Sequence, residues 1–220
     1  MADGKPRHLL PWLTACTYGQ MDAVLTWEGA LHTFGGGATG WSFFYTDCFD
    51  DPAKILALST ATALATPYED HFMDGMPLIS GALTVATGDL RAWSGVRLGN
   101  STWLVLTPGK SGLTRASNLT VSLALPTSDS PDASPTDGGS VSYSACDLTT
   151  GQEYTLAPDS LAASSSLTIQ VALVRTTVVH VAATTTSCEE RKLPAGAQSA
   201  LFLSLSFQAS ICGLAIDRRS

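Results

Sequence analysis

The sequence predicts an all-β fold: an antiparallel sandwich of jelly-roll type with one short helix. Three observations predict it. Apolar and polar residues alternate in "NLTVSLALP", "SLTIQVALV" and "ALFLSLSFQA", the period of a strand with one face in a core. Four more segments, "DAVLTW", "GWSFFYT", "STWLVLT" and "RTTVVHVAA", concentrate β-branched and aromatic residues between Gly, Pro and Asp. Only 14% of the 220 residues are charged and 45% are hydrophobic, enough for one sizeable core, so a single domain over 1–220 is expected.

Taken in chain order, "LTACTYGQMDAVLTWEG" is read as leading into the first core strand, "DAVLTW". The glycine-rich "TFGGGATGW" then reads as a flexible hairpin connection into "GWSFFYT". "DDPAKILALSTATALATP" breaks the strand pattern. Asp51 is a ready N-cap, Pro52 suits the first helical position and Pro67 stops the run, so a helix is predicted from Asp51 to Ala65 with little helix elsewhere. "STWLVLT" and "NLTVSLALP" follow as strands. The stretch from Pro126 to Ser140 has three prolines and no apolar period, and is expected to be a long exposed loop. Strands at "SLTIQVALV", "RTTVVHVAA" and "ALFLSLSFQA" complete the set.

The charge balance bears on partners. A net charge of −7 and only twelve Lys and Arg argue against binding a phosphate backbone, so no direct nucleic-acid contact is expected. Nor is a membrane partner expected, since no apolar run reaches the roughly 18 to 20 residues of a span. The five cysteines, Cys16, Cys48, Cys146, Cys188 and Cys212, are odd in number and contain no CxxC pair. They are expected to be buried free thiols in a reducing compartment, which makes the sequons "NST" at Asn100 and "NLT" at Asn118 chance matches.

Candidate chemistry is sparse. "YEDHFMDG" gathers Glu69, Asp70, His71 and Asp74, a donor set of the kind that holds a divalent cation. Neighbouring loop residues seldom all point inward, however, so a solvated turn closed by Gly75 is expected, with no metal or other cofactor. In "TDCFDDP" the acids Asp47, Asp50 and Asp51 are explained by helix capping. "GKSG" at Gly109 to Gly112 lacks the spacing of a nucleophile elbow, and "TFGGGATGW" lacks the Lys-Ser/Thr of a phosphate loop. His8, His32, His71 and His180 form no Ser/His/Asp or Cys/His trio by spacing, and His180, between valines, reads as a strand histidine satisfied by a neighbour. No enzyme is expected.

"LTACTYGQMDAVLTWEG", with a Cys and Tyr close together, Asp22 four residues on and then "AVLTW", resembles the segment of picornavirus-like jelly-roll capsid proteins where a helical turn runs into an early strand. "DPAKILALS" and "LFLSLSFQASICGLAI" are similar in position to that family's inter-strand helix and closing strand. The resemblance implies a structural virion protein: a capsid subunit, or a minor, outer or decorating shell protein, assembled in the host cytoplasm. Its partners would be copies of itself or other capsid proteins, in a homo- or hetero-oligomer. The alternative is a ligand-binding β-sandwich for a carbohydrate or a receptor, with Trp41 and Trp93 as candidate platforms.

Overall fold

The computed structural model describes residues 12–13, 23–40, 42–43, 52–109, 117–125, 143–156, 166–173, 175–183 and 187–192. The long loop expected at 126–140, the strand expected at "ALFLSLSFQA", Trp41 and Cys16, Cys48 and Cys212 lie outside them. Strand β1 (Trp12–Leu13), helix α1 (Ala23–Gly35), strand β2 (Ser42–Phe43) and helix α2 (Pro52–Ala65) come first. A 3-10 turn (Thr66–Tyr68) leads into α3 (Glu69–Asp74). Then come β3 (Met76–Pro77), β4 (Leu83–Thr87), β5 (Leu90–Leu98), β6 (Ser101–Pro108), β7 (Ser117–Ala124), β8 (Ser144–Asp147) and β9 (Glu153–Leu156). Finally β10 (Ser166–Leu173) and β11 (Thr177–Ala182) precede a short α4 (Cys188–Arg191).

The antiparallel β architecture is present. Among the described residues nine strands form one curled sheet in the order β3-β5-β6-β11-β8-β9-β10-β7-β4, every neighbouring pair antiparallel. That order does not by itself make a jelly roll. The sheet folds over so that Leu104, Leu106, Val179 and Val181 from its first half pack in one core with Leu119, Val121, Leu123, Leu167 and Ile169 from its second. On β7 and β10 the alternation seen in the sequence is the alternation of burial: Leu167, Ile169, Val171 and Leu173 are inside and Gln170 and Ala172 outside.

Three layers result, because the first half of the sheet is covered on its other face as well. Trp27, Ala30, Leu31 and Phe34 of α1 and Ala57, Ala61 and Leu64 of α2 pack against Val96, Trp103, Val105 and Val178. Phe34, Phe72 and Trp103 form an aromatic cluster there, with the Phe72 and Trp103 rings edge-on at 5.1 Å.

Helix α1 corrects the expected first strand. A six-residue window at "DAVLTW" shows β-branched and aromatic residues, but Trp27, Ala30, Leu31 and Phe34 recur at helical spacing and line one buried face. The glycines after it form the helix end instead of a hairpin. Gly37, at φ +85, takes the left-handed position, with Ala38 N–H donating to the Thr33 carbonyl and Gly37 N–H to that of Phe34. Strand β2 then runs parallel to β1, and α1 is the crossover that a parallel pair requires. Helix is therefore not confined to Asp51–Ala65. In α2, which does match the expectation, Thr60 and Thr62 turn their hydroxyls back onto carbonyls four residues earlier, a way of holding threonine inside a helix.

The expectation of free thiols is also corrected. Cys146 on β8 and Cys188 at the start of α4 are joined in a disulfide, their Cα atoms 5.4 Å apart. Forty-two positions separate them, and β8 beside β11 is what brings them together. Ser187 caps α4 in a capping box with Glu190.

Two stability predictions follow from this packing. Leu123→Ala, at a fully buried position, should cost about 2 to 5 kcal/mol in urea denaturation, while Thr155→Ala on the solvent face should stay within about 0.5 kcal/mol. Cys188→Ser should cost about 4 kcal/mol given the length of the closed loop, and reductant should lower the wild type toward the variant.

Candidate functional site

The acidic segment does not close around a cation. Residues Glu69 to Asp74 form a helical turn, not a loop, and Gly75 ends it. Glu69, Asp70 and Asp74 face solvent, whereas His71 turns inward and is 8% exposed. A helix aims successive side chains around its axis, so adjacent acids and the histidine diverge. Among the described residues no group of three or more His, Cys, Asp or Glu is disposed to hold a metal ion.

What the fold does assemble around His71 is a chain of hydrogen bonds. His71 on α3 and His180 on β11 both point their Nε2 atoms at the Ser101 hydroxyl, at 2.9 and 2.7 Å. Arg191 on α4 lies 3.2 Å from His180 Nδ1 and also donates to Ser144 Oγ at 2.7 Å. The directions follow from the donor inventory. A guanidinium only donates, so His180 Nδ1 accepts, His180 carries its proton on Nε2 and gives it to Ser101, and Ser101 in turn donates to His71. Tyr68 packs its ring over His180 at 4.6 Å and meets His71 edge-on. Burial, aided by the Arg191 charge and by His71, pushes the His180 pKa down to about 3. Burial also lowers that of His71, against the pull of Asp70. The Ser101 hydroxyl is thus fixed between two neutral imidazoles, 6% and 8% exposed, in a wall of side chains.

A second chain crosses from α1 to the sheet. His32 sits within α1, with Nδ1 2.8 Å from Ser94 Oγ and Nε2 2.9 Å from Thr107 Oγ1. Thr107 contacts Thr176 at 2.8 Å, and Thr176 donates to the carboxylate of the buried Glu28 at 2.8 Å. Arg91 forms an ion pair with the same Glu28. Each hydroxyl has one proton, so the chain runs Ser94 to His32 to Thr107 to Thr176 to Glu28. Burial, with help from Arg91, pushes the His32 pKa down to about 4. Spacing could not reveal either chain, since their members lie on different strands and helices; the one sequence signal was a polar residue inside an apolar strand, which His180 met.

Two surface features remain. The sheet's first and last strands, β3 and β4, are consecutive in the chain, and the segment between them crosses from one edge to the other. Leu78 N–H bonds Gly95 of β5, and Ala124 N–H at the end of β7 bonds Ala82. Along this seam Met76, Ile79 and Val85 are exposed at 68%, 78% and 42%. On the outer face, β4, β7, β9 and β10 line a groove of about 450 Å³. Thr87, Thr120, Gln170 and Thr155 occupy one cross-strand row in it. Trp93 is not a platform on that face; it is half-buried against the core between the sheet halves.

Comparison with known proteins adds little. No family model and no curated protein matches the chain. A solved structure of the α-fucosidase of Thermotoga maritima with a mechanism-based inhibitor is similar at a TM-score of 0.37 and 11% identity, covering 74% of this chain and 34% of that one. The chain spans about a third of that protein's length, and a likeness this low carries no argument about fold or activity. Among the described residues, no helix is long and apolar enough to cross a membrane.

The neutral histidines set a pH dependence. In the unfolded chain the imidazoles of His32 and His180 protonate near their ordinary 6.5, and in the folded chain only near 4 and 3, so between those values the unfolded state holds more protons. Stability should therefore fall as pH drops below 6.5, by up to about 1.4 kcal/mol per pH unit for each of these two histidines. Urea midpoints measured from pH 7 to pH 4 check this, and His180→Gln should flatten the slope.

Proposed function

We propose that the protein acts by association and not by chemistry, as a structural subunit joining copies of itself or a larger shell such as that of a virion. The observation that carries this reading is the seam at residues 76–87. Its strand β4, last in the sheet among the described residues, exposes Thr84, Val85, Ala86 and Thr87, carries no charged side chain and leaves one row of backbone groups with no described strand beside it. Three of the five exposed large hydrophobic side chains among the described residues, Met76, Ile79 and Val85, lie along the same seam. A second copy is the occupant that fits: two β4 edges related by a two-fold axis can pair antiparallel and extend the sheet, each giving the same surface to the other. The ladder with β7 shifts register between Val85 and Thr87, which limits that pairing to a short stretch. Short contacts of this kind suit a closed assembly, where many neighbours act together. The disulfide withdraws support from assembly in a reducing cytoplasm and is in keeping with an oxidised virion or cell surface.

Light scattering coupled to size-exclusion chromatography tests the reading. The wild type should grow in mass with concentration, and Val85→Lys, a charge of the kind that natural edge strands use against pairing, should return it to monomer. A wild type that stays monomeric at high concentration and binds no shell component contradicts the reading.

A second reading, a ligand-binding sandwich, is favoured by the outer groove. Its hydroxyls and the amides of Asn118, Gln152 and Gln170 both donate and accept, and the charged side chain lining it is Glu153, so its chemistry suits a neutral, hydroxyl-rich ligand such as an oligosaccharide. Saturable binding on an array of neutral oligosaccharides, weakened about three- to tenfold by Gln170→Ala, would support it.

A further inference from the structure

We infer that Asn100 is an N-glycosylation acceptor and that the chain matures in an oxidising lumen. Its "NST" sequon would be a chance match only in a chain whose cysteines stay reduced, and the Cys146–Cys188 bond removes that premise. The placement of Asn100 is independent of that bond. It occupies the two-residue connection between β5 and β6, with Gly99 at φ +54 beside it, and is exposed. A Cβ built on Gly99 would meet nothing within 4 Å, so the described residues do not crowd the turn beside Asn100. The Asn100 carbonyl accepts from Ala183 N–H at 3.4 Å, so its tie to the sheet is through the backbone and a substituent on the side-chain amide would not break that bond.

The third sequon position fixes the order of events. Thr102 is 4% exposed in the folded protein and its hydroxyl accepts from Arg97 Nε at 3.2 Å. A transferase that must read that hydroxyl meets it only before the β5–β6 hairpin closes, so attachment accompanies synthesis. In the transfer, the Asn100 Nδ2 atom loses a proton and bonds C1 of an oligosaccharide carried on a lipid pyrophosphate; the C1–O bond to pyrophosphate breaks, and the lipid pyrophosphate leaves with the electron pair and takes the proton. No oxidant or reductant takes part. The second sequon begins at Asn118, inside β7, where a glycan would lie over the outer groove, and the inference is confined to Asn100.

Peptide mass spectrometry of protein isolated from its natural cells, before and after treatment with a peptide N-glycosidase, tests the inference. The peptide containing Asn100 should carry a hexose-rich mass that the enzyme removes, leaving an aspartate at that position. When the chain is expressed through the same cells, Asn100→Gln should abolish the shift while Thr102→Ser, which keeps the hydroxyl, retains it. An unmodified Asn100 peptide in the natural protein overturns the inference, as does a shift that survives Asn100→Gln.

Discussion

Strands β6 and β11 are paired from Ser101–Ala182 to Leu106–Thr177 and are buried on both faces, and the other layers are arranged around that pair. Alternate residues serve different cores. Trp103 and Val105 face the helices, Leu104 and Leu106 face the second half of the sheet, and Val178 and Val179 divide in the same way. A strand with two apolar faces needs two covers. The helices α1 and α2 supply one, and the folding over of β7, β10 and β4 supplies the other.

Double burial also dictates the polar chemistry. Thr107, Thr177 and His180 lie in strands that water does not reach, so each must find its partners within the protein. Thr107 is held by His32 and Thr176, Thr177 by Asp147, and His180 by Ser101 and Arg191. Both hydrogen-bond chains end on a charged side chain, Glu28 in one and Arg191 in the other, and that end sets the direction of every bond along them. The disulfide anchors α4, so the guanidinium that orients His180 is held covalently as well as by packing. Such chains fix the registry of helices on the sheet.

This arrangement also explains what could be read from the sequence. Leu119, Val121 and Leu123 on β7 were legible because one face of that strand meets solvent, so polar residues alternate with apolar ones. "STWLVLT" and "TVVHVAA" showed as apolar runs, which is how doubly covered strands read. Pro52 and the run of Ala and Leu after it marked α2. By contrast, α1 was hidden by a Thr and a Trp that suit a strand, and its period appears only when Ala30, Leu31 and Phe34 are counted with Trp27. Strand β5, "LRAWSGVRL", carries a Gly and two Arg that blur any period. Of the candidate site residues, His71 was found but assigned to the wrong environment, because Ser101, His180 and Arg191 reach it from other elements. The Cys146–Cys188 pair was invisible for the same reason: spacing alone cannot say which strands are neighbours.

Native-state hydrogen exchange of the disulfide-intact protein tests the central position of β6 and β11 most directly. The amides of Leu104, Val105, Val179 and Val181 should exchange slowest in the molecule, through global unfolding, while those of β4 exchange through smaller openings at the sheet edge. Exchange of the β6 and β11 amides as fast as those of β4, with protection centred on β7 and β10 instead, would contradict the account.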